Sequence, residues 1–133
     1  MTQPNFVNGS GGNISTSVFV VQDTGNPKAV NQAADATHFI VGVSQQYAKY
    51  APIPNATTVA ADTQGDPVLV YTEGDTCWLN ATTAGWTAGD RLTANASGQG
   101  ITASGTNYYG AIALTTMSGA GLGQVQVLLG KNP

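Results

Sequence analysis

The feature that most constrains this chain is the regular return of turn chemistry. Asp23-Thr24-Gly25-Asn26-Pro27, Asp62-Thr63-Gln64-Gly65-Asp66-Pro67, Thr72-Glu73-Gly74-Asp75, Ala88-Gly89-Asp90, Ser97-Gly98-Gln99-Gly100 and Ser104-Gly105-Thr106-Asn107 cut the sequence into short pieces. Glycine supplies left-handed backbone, and Asp, Asn and Ser bond back to the main chain, so each cluster reverses the chain. The pieces between them show no sustained helical period, whereas most carry β-branched or aromatic residues in alternation. An all-β fold follows, a compact single-domain β-barrel or β-sandwich with short strands.

The expected strands can be read in order. Ser17 to Gln22 enters the first turn cluster. Thr37 to Ser44 sets Phe39, Val41 and Val43 against His38, Ile40 and Gly42, a strand with both faces at least partly covered. Gln45 to Pro54 reads either as one helical turn ended by Pro52 and Pro54, with Tyr47 and Tyr50 on one face, or as a loop exposing both tyrosines. After a weak strand at Ala56 to Ala61, Val68 to Tyr71 and Thr76 to Leu79 flank Thr72-Glu73-Gly74-Asp75 as a hairpin. Trp86 leads through a Gly-Asp turn into Arg91 to Ala94, followed by Ile101-Thr102, Tyr108 to Thr115, and Gln124 to Leu129. HFIVGVS and YYGAIAL, each preceded by a strand, a glycine turn and a polar connection, suggest a duplicated β-unit with unequal spacing. Residues 1–16, with Gly9-Ser10-Gly11-Gly12, are expected to form an extended, flexible N-terminal arm before a β-rich domain over 17–133. Phe6 and Val7 would anchor that arm to a partner.

Composition bears on function through charge. Only 8% of the 133 residues are Asp, Glu, Lys or Arg, against about 25% in an ordinary soluble domain. A surface of Asn, Gln, Ser, Thr, Ala and Gly offers little long-range repulsion and suits a protein packed against others. Lys28, Lys49, Arg91 and Lys131 are scattered in a chain of net charge −3, which supplies no footprint for phosphate neutralisation, so nucleic-acid binding is not expected. No apolar run approaches the length that spans a bilayer as a helix, and no basic-plus-apolar export signal opens the sequence, so synthesis in the cytoplasm and no membrane partner are expected.

Site chemistry is sparse. The lone Cys77 sits in an apolar run and reads as a small buried residue; the lone His38 has no ligand cluster at metal spacing. Gly119-Ala120-Gly121-Leu122-Gly123 is followed by a strand and not by the helix a phosphate loop requires. Asp62 with Asp66 and Glu73 with Asp75 lie in turns, where carboxylates cap backbone, and show neither a glycosidase pair nor ordered calcium spacing. No Gly-x-Ser-x-Gly elbow is present. The Asn-x-Ser/Thr triplets at Asn8, Asn13, Asn55, Asn80 and Asn95 follow from composition. The expectation is a protein that is not an enzyme, with no cofactor and no metal.

Ala88-Gly89-Asp90-Arg91-Leu92-Thr93-Ala94, Ser97-Gly98-Gln99-Gly100, Tyr109-Gly110-Ala111-Ile112-Ala113-Leu114 and Val125-Gln126-Val127-Leu128-Leu129, with Asn26-Pro27-Lys28-Ala29-Val30, Ile40-Val41-Gly42-Val43-Ser44 and Gly65-Asp66-Pro67-Val68-Leu69-Val70 before them, resemble the small capsid decoration (cement) proteins of tailed bacteriophages. The resemblance implies a homotrimer on the outer surface of the virion, bridging major capsid protein subunits and stabilising the assembled shell. Phe6, Val7, Tyr47, Tyr50, Trp86 and Tyr108 are the residues expected at capsid or subunit contacts. The competing reading is a carbohydrate- or receptor-binding β-module of a phage surface or tail structure, with Trp78, Trp86, Tyr108 and Tyr109 as stacking platforms.

Overall fold

A computed structural model describes residues 6–9, 12–44, 59–61, 65 and 67–131. Among them there is no helix; thirteen strands carry the fold. They are β1 (Phe6–Asn8), β2 (Ile14–Ser15), β3 (Phe19–Gln22), β4 (Ala29–Gln32), β5 (Ile40–Ser44), β6 (Val59–Ala61), β7 (Pro67–Val68), β8 (Val70–Tyr71), β9 (Thr76–Ala81), β10 (Arg91–Ala94), β11 (Gly100–Thr102), β12 (Tyr108–Ala113) and β13 (Gly121–Lys131). The all-β expectation holds.

The strands form a half-barrel sheet followed by a closed barrel, built to one plan and called the first and second barrels below. In the second half β10-β11-β9-β13-β12 closes on itself. In the first half the order is β7-β1-β4-β3-β5-β8, and its two edges, β7 and β8, are successive pieces of one segment parted only by Leu69. The ladder is interrupted there, but the chain path goes round. Each half has a central strand (β3, β10) antiparallel to the two that follow it, and a parallel pair, β1 with β4 and β9 with β11. The registers match as well. Val20 lies between Gln32 and Gly42 as Leu92 lies between Thr102 and Ala111. Val30 faces Asn8 as Gly100 faces Ala81, and Phe6 faces Val68 as Leu79 faces Gly123. The echo of HFIVGVS in YYGAIAL is therefore a true structural repeat, since β5 and β12 hold the same place in the two barrels. Unequal connections disguise it.

Alternation fills both barrels. Ile14, Val18, Val20, Val30, Val68 and Val70 form the first interior, with Phe6 packed against it. Cys77, Leu79, Trp86, Leu92, Ala111, Val125 and Val127 form the second, in one cluster with Phe19, Ile40 and Val43 from the first sheet, so the halves share a core. The halves press together at Gly110, where a Cβ would stand 2.6 Å from Ile40 Cγ2 and 2.7 Å from the Phe19 ring.

Two expectations are corrected. Val68 to Tyr71 and Thr76 to Leu79 do not form a hairpin: β8 pairs with β5, and β9 with β13 and β11. The Thr72–Asp75 turn is present, with Asp75 N donating to Thr72 O at 3.0 Å and Thr72 N to Asp75 Oδ2 at 2.9 Å. Its outer amide, Gly74 N, donates to Val127 O at 2.9 Å, so the turn is fastened to β13 and passes the chain from one barrel to the next. The arm expected over 1–16 is, where described, part of the domain. Phe6–Asn8 lies between β4 and β7, and Ile14–Ser15 pairs with β6, because Ile14 and Asn8 are fully buried.

Candidate functional site

Of the expected contact residues, the described ones are not gathered in one place. Phe6 and Val7 are half-buried in β1, and Tyr47 and Tyr50 lie outside the described residues. Trp86 is only 4% exposed, which removes it from the surface. Its backbone exchanges two hydrogen bonds with Met117 at 2.9 Å, its indole Nε1 donates to Thr115 O at 2.8 Å, and Gly100 and Gly123 leave room for the ring. Trp86 is a plug for the second barrel.

Tyr108 and Tyr109 are half-buried at the start of β12. Tyr108 meets the 53% exposed Phe39 edge-on at 5.9 Å, and Lys131 Nζ lies 5.2 Å from the Tyr108 ring centre. The Arg91 guanidinium covers Tyr109 at 5.1 Å. Cations therefore occupy one face of each tyrosine, as expected of electron-rich rings.

The outer face of the second barrel carries the other exposed apolar groups. Trp78 is 54% exposed on β9, Leu122 is 53% exposed on β13, and Leu114 follows β12 at 44%. Trp78 is cross-strand from Gln124, whose carbonyl accepts from Leu114 N at 3.0 Å, so Trp78, Gln124 and Leu114 form a row without charge, and Leu122 stands opposite Asn80 beside it.

Where the barrels meet, a cleft of about 400 Å³ is lined by Ser15, Val18, Gln32, Asn80, Ser97 and Gln99. Nothing in the sequence singles these residues out, because isolated amides and hydroxyls look like ordinary surface. Only the fold brings β2, β4, β9 and the β10–β11 turn to one place.

The titratable groups behave as structural ones. Burial, with some help from Asp75, pushes the Cys77 thiol up to about 12, so it stays protonated and unreactive. Asp35 is lowered to about 2, first by its hydrogen bond with His38 at 3.0 Å and then by Thr37. Both partners are exposed, a surface arrangement. Among the described residues no three His, Cys, Asp or Glu side chains gather as metal ligands, and no helix is long and apolar enough to cross a membrane.

No protein-family model and no curated protein matches the chain. Among solved structures it is similar to the N base of head fiber gp8.5 of bacteriophage phi29, with a TM-score of 0.56 and 14% identity over 96% of each chain. At that identity the likeness is one of fold, and it takes in both barrels.

Proposed function

We propose that this protein is a non-enzymatic phage virion protein that sits on the outer surface of the assembled capsid as a homotrimer and stabilises it by bridging major capsid subunits. The observation that carries the reading is the likeness, over 96% of both chains, to the base of a phage head fiber. Surface chemistry supports it. A chain with 8% charged residues has little to oppose close packing, and the exposed Phe39, Leu114 and Leu122 are contacts awaiting a protein partner. A trimer engaging three capsid positions at once gains avidity from contacts that are individually weak.

Mass photometry of the purified protein, followed by co-sedimentation with capsids lacking it, tests both parts. The reading expects three-chain particles that pellet with capsids and raise their resistance to heat. Leu114→Asp and Leu122→Asp should lower trimer content or occupancy while the β-sheet circular dichroism is kept. A monomer that stays in the supernatant refutes it.

A further inference from the structure

The cleft between the barrels has a composition that capsid attachment does not call for. We propose that it is a binding site for a neutral saccharide, with Asn80, Gln99, Ser15 and Ser97 seating one sugar ring, Gln32 bracing the cleft wall, and the exposed Trp78 indole stacking on a neighbouring ring.

The volume, about 400 Å³, falls within the roughly 300–1,000 Å³ of small-molecule sites. Among the described residues its lining carries no ionisable side chain. A phosphate, a nucleic acid or a metal cation would find neither cation nor carboxylate there. A sugar hydroxyl both donates and accepts, which is what amides and serine hydroxyls answer.

The amides are already held in place. Gln32 Oε1 accepts from Ser15 N at 2.8 Å and its Nε2 donates to Ser97 O at 2.9 Å. Asn80 Nδ2 donates to Thr16 O at 3.0 Å, and Gln99 Oε1 accepts from Asn95 Nδ2 at 3.1 Å. The Asn80 carbonyl, the Gln99 amino group and the hydroxyls of Ser15 and Ser97 are left for a ligand, so little side-chain entropy is lost on binding.

The walls are equally fixed. Asn95 Oδ1 accepts from Ser97 N and Gln99 N, both at 2.9 Å, and Gly98 O accepts from Phe19 N at 2.8 Å, fastening the β10–β11 turn across the cleft. Opposite it Ser17 has φ 57°, a conformation a non-glycine residue adopts at a cost. Ser17 N donates to Ser44 O at 3.0 Å and Ser17 O accepts from Asn80 N at 2.8 Å. Trp78 and Asn80 share the outward face of β9, roughly 6–7 Å apart along the strand. An indole beside a rigid, neutral, hydrogen-bonding cleft suits an oligosaccharide, whose rings present a C–H face and hydroxyl edges.

Saccharide binding here is separate from capsid attachment, and neither requires the other. The experiment is a printed array of neutral and anionic glycans probed with the whole chain, followed by calorimetric titration of the best soluble hit. The expected result is a neutral glycan whose affinity falls about tenfold or more in Trp78→Ala, falls in Gln99→Ala, is restored in Trp78→Tyr, and is unchanged in Leu114→Ala. Trp78 is exposed, so its variants should fold, and circular dichroism checks each one. No neutral-glycan signal, or a hit that is anionic only, overturns the proposal, as does binding that survives either Trp78→Ala or Gln99→Ala. Loss of capsid binding in Trp78→Ala without any glycan signal assigns that face to protein contact and also overturns it.

Discussion

Gly110→Ala tests whether the two barrels press together as one core. The added Cβ would stand 2.6 Å from Ile40 Cγ2 and 2.7 and 2.9 Å from two Phe19 ring carbons, where non-bonded carbons prefer about 3.5–4.0 Å. Neither neighbour has room to retreat, since Phe19 is 0% and Ile40 1% exposed. Overpacking of this kind costs about 1–3 kcal/mol. For a chain of this size that lowers Tm by roughly 3–15 °C. Gly25→Ala is the matched control: its nearest neighbour is Asp23 Oδ2 at an ordinary 3.6 Å, and its φ is not positive. It should be neutral or slightly stabilising. Phe19→Leu removes the clashing ring atoms, so Gly110→Ala with Phe19→Leu should lose less than the two single losses added. Urea unfolding of the four variants supplies the numbers. A Gly110→Ala loss under about 0.5 kcal/mol, or full additivity with Phe19→Leu, refutes the shared core.

Three further outcomes follow from individual residues. Thr93 Oγ1 is buried without a hydrogen-bond partner at the position where the first barrel has Val21, so Thr93→Val should raise stability by about 1 kcal/mol in urea unfolding; a loss of that size contradicts the unpaired hydroxyl. Cys77, with its thiol pushed up to about 12, should resist iodoacetamide at pH 8 and react once urea unfolds the chain; fast native labelling contradicts its burial. Asp35 should titrate near 2 and not 3.8 by carboxyl NMR. Because its folded pKa is depressed, its contribution is present above about pH 4 and is lost as pH falls toward 2. Exposure keeps that contribution under about 1 kcal/mol, and a midpoint at 3.8 contradicts the Asp35–His38 contact.

Turns were the legible part of the sequence. Asp90 N bonds Thr87 O, Gly98 N bonds Asn95 O and Asn107 N bonds Ser104 O, each closing a turn at a cluster that the residue types announce. Strand pairing was not legible in the same way. Thr72–Asp75 has hairpin chemistry, yet Tyr71 and Thr76 belong to different barrels, because partners are chosen by burial against β5 and β13 and not by the turn. The parallel pairs β1–β4 and β9–β11 leave no local mark, and without them the repeat shows only in its β5 and β12 members. Phe6 and Val7 looked like an anchor on a loose arm because the glycines after them suggested freedom. Pairing of Val7 with Ala29 and Pro67, and of Phe6 with Val68, fixes them in the sheet. Trp78 sits within β9 and points outward, whereas Trp86 is bridged to Met117 between two turns, and the small residues opposite it, Gly100 and Gly123, let it turn inward. The cleft was invisible for a related reason, since Gln32, Asn80 and Gln99 are far apart in the chain and unremarkable singly.

The most direct measurement of the central claim is a density map of the virion, at a resolution that separates β-barrels, compared with capsids lacking this protein. A virion protein of the proposed kind predicts extra density on the outer shell surface at symmetry-related positions, three copies of the tandem barrel at each, in contact with more than one major capsid subunit. A shell with no such density, or the protein found only inside it, contradicts the account.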